Sequence, residues 1–565
     1  MARESGSNPL FNPAIPIEQR VLPEIPVDKN NIAPRVGFAW TPRMGSGNAF
    51  NRFLFGENDA TVIRGGFSVA YDPAFYNILL NVSNAAPVSA ALSVPAASLP
   101  ATGNPAPLPG SLTGEAVRQL AASANLLPVG QLNPNLLTQV PVGDDFHAPY
   151  SLQFSFGVQR QINRSNVFEA RWVRTRGIGL FASVNRNPFI RNLVNGLGTQ
   201  DIELDTDGDG DADDVTEFTF PGFANLLPAG VTPADCTNIA STPDNEGICS
   251  GRLIPGRGRI TSRENVAQST YDGAQFRYNG RFLNNSLNIG AAYAFSKTID
   301  DASEIFAIAE ASAFAQNPFD INRGERSRSA YDRPHAFSMN FLYDFPMFKE
   351  QRGFAGKLLG GWQINGQHVL TSGRPYTPSQ FFNSGFLGST FSYMTDTAGE
   401  PIRPFISNPN ADERTVAISQ VDAYWAFGTP VQDINGYYDF AEFFNLSGNA
   451  VPVSPQDVRF IINAPGSAAL RGTPFGNAPR NYLRGPAVNQ LNLGLFKNTR
   501  ITENVRVQFR VEAFNVLNHP QPGFGVVANQ QFPDNFIEDA GTTFAERDEM
   551  ALARRAVQFG LRIVF

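Results

Sequence analysis

Apolar and polar residues alternate with a period of two along segment after segment of this chain, the pattern of strands that separate two different solvents. The last segment shows it most sharply: Val557, Phe559, Leu561, Ile563 and Phe565 are apolar, while Gln558, Gly560 and Arg562 fall on the opposite face. One face suits hydrocarbon and the other suits water. Upstream, Val505, Val507, Phe509, Val511 and Ala513 alternate with Arg506, Gln508, Arg510 and Glu512, and a short link at 500–504 ties that strand to another around Leu491, Leu493 and Leu495. Comparable segments lie at 34–40, 61–71, 152–162, 167–173, 271–282, 287–295, 333–345 and 362–371, for roughly eleven strands in all.

Connection lengths carry topology. Short links at 163–166, 283–286 and 500–504 alternate with long stretches at about 73–149, 186–257, 299–332, 374–486 and 517–553, rich in Pro, Ala, Asn, Gly and Ser. Outer-membrane barrels have short periplasmic turns on one side and long extracellular loops on the other, so the alternation predicts such a barrel. Soluble sandwiches and propellers have no reason to segregate their long loops this way. The expected fold is therefore all-β: an antiparallel transmembrane outer-membrane β-barrel with long extracellular loops. Residues 1–30 form an irregular N-terminal segment, and 31–565 form the barrel domain. Counting back from a descending last strand makes the strand at 34–40 descend as well, whereas an even-numbered antiparallel barrel opens on a rising strand. The parity predicts at least one further strand upstream, that is, a partial or N-terminally truncated barrel.

Composition supports this picture. The 565 residues include 47 Phe, 50 Gly and 42 Pro with only 17% charged, which excludes a helical bundle or a charged disordered tail. Mean hydropathy is -0.20, mildly polar despite the phenylalanines, as expected when apolar residues alternate with polar ones. No run of 18 apolar residues offers a transmembrane helix. The formal net charge of -7 and the lack of a basic patch argue against nucleic acid as a partner. The first residues, MARESGSNPLFNPAIP, do not read as a secretory signal.

The final strand resembles the C-terminal assembly signal of outer-membrane barrels, a polar residue, Gly, two free positions and then apolar residues two apart. Gly560, Ile563 and Phe565 match, and Phe559 stands where a polar residue is expected. The resemblance implies recognition by the barrel assembly machinery. Further blocks are similar in content and order to Oar-like TonB-dependent transporters: Asn30 to Trp40, Val62 to Phe67 with Tyr71-Asp72, Pro149 to Gln153, Gly157 to Arg160, Tyr293 to Ser303, Asn317 to Asp320, Arg333 to Phe337, Gly360 to Gln363, Ser372 to Tyr376, Arg484 to Pro486 and Phe514 to Pro520. That family implies a barrel of about 22 or more strands, plugged by an N-terminal domain and energised through the TonB complex. The chain shows no plug-like region, TonB-contacting segment or preceding carboxypeptidase-regulatory-like sandwich. Only the barrel and surface-loop half of the family's role is expected of it, with TonB a partner only if a plug lies upstream. The other expected partners are outer-membrane lipid and an unknown extracellular ligand. A surface structural or adhesive protein and a soluble calcium-stabilised β-protein are the competing readings.

Chemistry concentrates in one loop. Asp205, Asp207, Asp209, Asp211 and Asp213 place oxygens at every second position, with Gly210 sixth for the turn, which fits the front of a calcium loop in which Asp211 contributes its carbonyl. Thr216 occupies the twelfth position, where a bidentate Glu is usual, and Glu217 comes one residue late. The predicted role is structural calcium that pins a long loop; an acidic, solvated loop is the alternative. Cys236 and Cys249, the only cysteines, are expected to pair in an oxidising compartment, with two free thiols as the alternative. His147, His335, His368 and His519 form no ligand spacing. Arg506, Arg510, Glu512, Arg160, Arg171 and Arg277 are expected to face a polar lumen, where their bland role is to solvate it. No nucleophile elbow, phosphate loop or zinc-protease helix appears, so an enzyme is not expected.

Overall fold

The computed structural model describes residues 28–42, 60–72, 142–143, 146–227, 252–253, 260–303, 315–378, 380, 393, 403–446, 449–503, 505–519 and 555–565. Eleven strands follow one another in sequence order across a single antiparallel sheet: β1 (Arg35–Trp40), β2 (Thr61–Tyr71), β3 (Tyr150–Asn163), β4 (Asn166–Asn185), β5 (Thr261–Phe282), β6 (Leu287–Asp300), β7 (His335–Asp344), β8 (Trp362–Thr371), β9 (Val488–Arg500), β10 (Arg506–Phe514) and β11 (Ala556–Val564). A two-residue strand, Ser327–Arg328, adds to the end of β6. The links at 41–60, 164–165, 283–286, 345–361 and 501–505 lie at one end of the sheet, and the longest ones lie at the other, so the predicted segregation holds with two links of intermediate length, 41–60 and 345–361, on the short side. The tight turns are built for their geometry. Asn163 accepts from the Ser165 N–H at 2.9 Å, and Leu283, Asn284 and Asn285 take left-handed conformations.

The register shows why the sheet has two faces. Across β3 to β8 the paired positions Phe156, Trp172, Ala274, Phe295 and His335 share one side, as do Tyr278, Ala291, Met339 and His368. The opposite side carries Arg171, Gln275, Ala294 and Ala336 in one row, and Glu169, Arg277, Ala292 and Ser338 in another. On β6 the apolar side runs from Leu287 to Phe295, on β8 from Trp362 to Leu370 and on β11 from Val557 to Ile563. Nine or so residues per strand is the length a tilted strand needs to cross hydrocarbon. Phe156, Phe295 and Phe559 stay 49%, 54% and 68% exposed in the protein alone, acceptable only if lipid covers them. No helix among the described residues is long and apolar enough to cross a membrane. Glycines let large neighbours lie flat on the sheet. A Cβ at Gly366 would sit 2.4 Å from the Phe341 ring, and one at Gly560 would sit 2.8 Å from Arg510 Cγ.

Two strands run longer than their hydrophobic alternation suggests. β4 and β5 have 20 and 22 residues, about twice a transmembrane span. Beyond Val173 the apolar-side positions of β4 go to Arg174 and Arg176, so the sequence signal fades while the hydrogen-bonded ladder continues. The extension bulges between Gly177 and Ala182. Gly179 has φ +64 there, with His147 Nε2 where a Cβ would be, 2.6 Å away, so glycine is required.

The described parts of the connections between β4 and β5 and between β8 and β9 are folded. A hairpin, Gly198–Leu204 with Asp214–Phe220, packs against helices α1 (Gln420–Phe427) and α2 (Pro465–Arg471). A four-stranded sheet orders Phe405–Ile406, Phe460–Ile461, Val416–Ser419 and Tyr437–Asp439. Val416, Ile418, Tyr438, Phe440, Phe460 and Ile462 form one fully buried core of this cap, and Leu193, Ile202, Phe218, Phe220, Val421 and Val431 another. None of these strands joins the eleven-stranded sheet, so the sheet's parity is unaffected. Among the described residues β1 and β11 have no partner on their outer edges. Eleven antiparallel strands leave these two edges running in the same direction.

Candidate functional site: the polar face and its cap

The polar face of the sheet forms a trough. Near β1 to β5 it encloses about 510 Å³, with Arg35, Ser68, Gln153, Arg171, Thr175 and Gln275 in its lining. Arg171 donates to Gln275 Oε1 at 2.6 Å, spanning two strands. A second hollow of about 320 Å³ lies near the turns and includes Arg164, Asn279, Arg281, Asn288 and Asn340. Arg506, Arg510 and Glu512 are on this face too, opposite Arg500, Phe496 and Gly494, as is Arg277. Arg160 is a correction: it pairs with Phe168, on the apolar side, at the turn end of β3. A bulge between Gln161 and Asn163 closes the strand at that point. An end-of-strand arginine can extend its guanidinium to the interface, so apolar-side parity costs it little.

Buried ion pairs tie the cap to the sheet rim. Arg403 holds Glu325 bidentately, Nη1–Oε2 at 2.7 Å and Nη2–Oε1 at 2.9 Å. Arg480 reaches Asp300 Oδ1 at 2.6 Å and Glu325 Oε2 at 3.4 Å. All four side chains are at most 5% exposed. Beside them Asp332 accepts from the Thr298 N–H at 2.7 Å and from Arg484 Nη2 at 2.6 Å. Desolvation lowers the pKa of nearby Arg328 and Arg333. Sequence reasoning missed the network because its members are far apart in the chain and become neighbours only when the cap folds. The one signal was that Asp300 and Arg484 fall within the family-like blocks.

Inside the cap, Asp422 joins α1 to α2. Its carboxylate accepts from Gly466 N at 2.7 Å, Ser467 N at 2.8 Å and Ser419 Oγ at 2.6 Å. Complete burial raises its pKa, against the pull of those donors. A raised folded-state pKa contributes stability that is complete below the ordinary value of 3.8 and is lost as pH rises through the raised value. Thermal melts of the wild type and Asp422→Asn, compared over roughly pH 4 to 7, are expected to show the wild type gaining relative stability toward acid. A pH-independent difference would mean that the carboxylate stays ionised throughout.

The aspartate loop sits at the tip of the Gly198–Phe220 hairpin. One carboxylate oxygen from each of Asp205, Asp207 and Asp209 lies within 4.8 Å of the others. Asp205 is 3% exposed and accepts from the N–H groups of Gly208, Asp209 and Gly210 at 2.6, 3.1 and 3.0 Å. Its own N–H donates to Val431 O at 3.0 Å, docking the loop on the cap. The Asp211 N–H donates to Asp209 Oδ1 at 2.9 Å, and the Asp213 carboxylate lies outside the group of three. Asp213 accepts instead from Thr206 N at 2.9 Å and Thr206 Oγ1 at 2.6 Å, contacts that lower its pKa. Glu217 is in the second hairpin strand opposite Asp201, and Thr216 is opposite Ile202.

Cys236 and Cys249 lie outside the described residues, as does most of the 1–30 segment. The histidines are dispersed: His335 Nδ1 lies 2.8 Å from the Tyr293 hydroxyl, His368 Nε2 lies 2.9 Å from Asn489 Oδ1, His147 adjoins Gly179 and His519 follows β10. None joins a metal-ligating group among the described residues.

An antiparallel sheet with a nine-residue apolar band, a polar trough behind it, the shorter connections at one end and a folded cap at the other defines a transmembrane β-barrel of the outer membrane. The chain belongs to the outer membrane β-barrel domain family, whose model matches residues 23–558. No curated protein matches it. Among solved structures it is similar to the outer membrane transporter YddB from Escherichia coli, at 9% identity over 86% of this chain and 37% of that one, TM-score 0.34. It is also similar to the siderophore receptor PirA from Acinetobacter baumannii, at 8% identity over 90% and 39%, TM-score 0.33. A third is the FrpB iron transporter from Neisseria meningitidis, at 8% identity over 94% and 39%, TM-score 0.34. The chain thus spans less than two fifths of each of these proteins.

Proposed function

We propose that this chain forms the wall and outer cap of an Oar-like TonB-dependent receptor, taking up or recognising an extracellular solute or polypeptide without chemical catalysis. The observation that carries the reading is the two-faced sheet, whose polar trough leads to a cap folded from the long connections. A barrel wall alone needs only short loops. A cap with its own hydrophobic cores, held on the rim by buried ion pairs, is a platform for binding at the entrance. The odd strand count among the described residues supports closure by an odd number of further strands, since an antiparallel barrel closes with an even total.

Intact mass and peptide mapping of the native protein from detergent-solubilised outer membranes test the reading. A mass above 61.5 kDa, with plug and additional strand peptides, supports energised uptake. A mass near 61.5 kDa without them leaves a surface scaffold and overturns the transport reading.

Calcium at Asp205, Asp207 and Asp209 is part of the proposal, as a structural ion that fixes the hairpin tip against Val431. Millimolar calcium is expected to raise the melting temperature of the cap and slow its cleavage by protease in wild-type protein, with both effects lost in Asp207→Ala/Asp209→Ala. An equal response in the variant would leave a solvated acidic loop held by its own hydrogen bonds.

A further inference from the structure

At the loop end of the apolar band the outward side of the sheet changes character within one residue pair. The last band row, Trp172, Ala274 and Phe295, is followed by Arg174, Asp272 and Lys297, paired across β4, β5 and β6. Arg176, next on β4 on the same side, pairs with Thr270. Arg174 and Asp272 are 48% and 41% exposed at their side chains, with Nε–Oδ1 at 3.7 Å, too loose a pair to consume either charge. Arg176 Nη2 donates to Gln268 Oε1 at 3.2 Å, and Arg174, Arg176 and Lys297 are all exposed. Three cations thus surround one carboxylate, a local excess of positive charge on a chain whose formal net charge is -7.

Position identifies what meets them. Trp172 is 43% and Phe295 54% exposed, and the Tyr293 hydroxyl meets His335 beside them. Such amphipathic rings mark the level where hydrocarbon gives way to headgroups. The row directly beyond them, on the lipid-facing side, lies among the headgroups of the leaflet on the long-loop side, the outer one. Long cationic side chains rooted beside hydrocarbon extend toward the anionic oxygens of that layer. Guanidinium forks match phosphate oxygens in geometry as well as charge.

We propose that Arg174, Arg176 and Lys297 bind the phosphate of a lipid headgroup in the outer leaflet, with Asp272 limiting affinity and orienting Arg174. This surface is separate from the trough and the cap, and it does not depend on the transport reading.

Native mass spectrometry of the full protein, taken from its outer membrane into non-ionic detergent, tests the proposal with phosphatidic acid as the phosphomonoester probe. Phosphatidylcholine and inorganic phosphate serve as comparisons. Phosphatidic acid adducts are expected on the wild type, with affinity falling by about a hundredfold at low salt in Arg174→Ala/Arg176→Ala/Lys297→Ala, since each cation near a lipid surface is worth about fivefold. Asp272→Asn is expected to tighten the lipid by about fivefold on the same basis. Heat-modifiable gel mobility checks that each variant is folded. If the triple variant does not fold, the direction of change in Asp272→Asn decides. Equal binding by wild type and triple variant, no gain in Asp272→Asn, equal retention of phosphatidylcholine, or displacement of the lipid by inorganic phosphate would each overturn the proposal, the last by showing a free-phosphate site.

Discussion

Replacing Glu325 with alanine is expected to detach the cap from the sheet rim at a cost of about 3–5 kcal/mol, the range for breaking a buried ion pair from one side. The size follows from what remains. Glu325 balances Arg403 through two short hydrogen bonds and Arg480 through a third contact. Without it Arg403 stays 3% exposed with no acidic partner among the described residues, and Arg480 loses its contact with Glu325 while keeping that with Asp300. Neither guanidinium can shed its charge, so the cap must open to hydrate them. Protease shaving of intact cells is the measurement: cap fragments from 403–484 should appear at protease levels that leave the wild type whole, while heat-modifiable mobility of the sheet persists. Glu325→Gln should lose less, because it keeps volume and one acceptor. A wild-type cleavage pattern in Glu325→Ala would show that the hydrophobic cores alone hold the cap down.

The second large effect separates the two faces of one strand. Ala291 lies in mid-band on β6 between Tyr278 and Met339, whereas Ala294, three residues on, pairs with Gln275 and Ala336 on the trough side. Ala291→Arg is expected to destabilise the folded protein by about 2–4 kcal/mol, the cost of a cation facing lipid at mid-bilayer. Ala294→Arg should cost less than about 1 kcal/mol, because its guanidinium enters water beside Gln275. Urea titration in lipid vesicles, followed by tryptophan fluorescence, measures both. Equal costs would mean that the sheet does not separate lipid from water.

Legibility followed the range of the forces involved. Each of the eleven strands was readable because a strand facing lipid and water must alternate along its own length, a constraint that involves only neighbours in sequence. The same local logic gave the alternating links and the odd parity. It misplaced Arg160, which continues the side of Phe154, Phe156 and Val158 in unbroken register and pairs with Phe168; its charge, not the period, had suggested the lumen, and at the strand end its long side chain can extend to the interface. It also stopped β4 at Val173, because the continuation is held by ladder hydrogen bonds to β5 and by packing of Phe181 with Val142, and neither leaves a periodic trace. Of the calcium loop, the even spacing of Asp205, Asp207 and Asp209 did bring their oxygens together, while the Thr206 side chain took Asp213 away.

The sequence alone therefore determined the membrane-facing half of this protein: strand number, antiparallel order, which side meets hydrocarbon and which end carries the long connections, all consequences of two solvents acting on consecutive residues. Only the tertiary structure decided that described stretches of the connections after β4 and β8 fold into a cap, that Asp300, Glu325, Arg403 and Arg480 lock it to the rim, and that Arg174, Asp272 and Lys297 form one row at the lipid boundary. Those arrangements join residues up to 180 positions apart. Their energy comes from desolvated charges and buried side chains meeting across the fold, which no local pattern encodes.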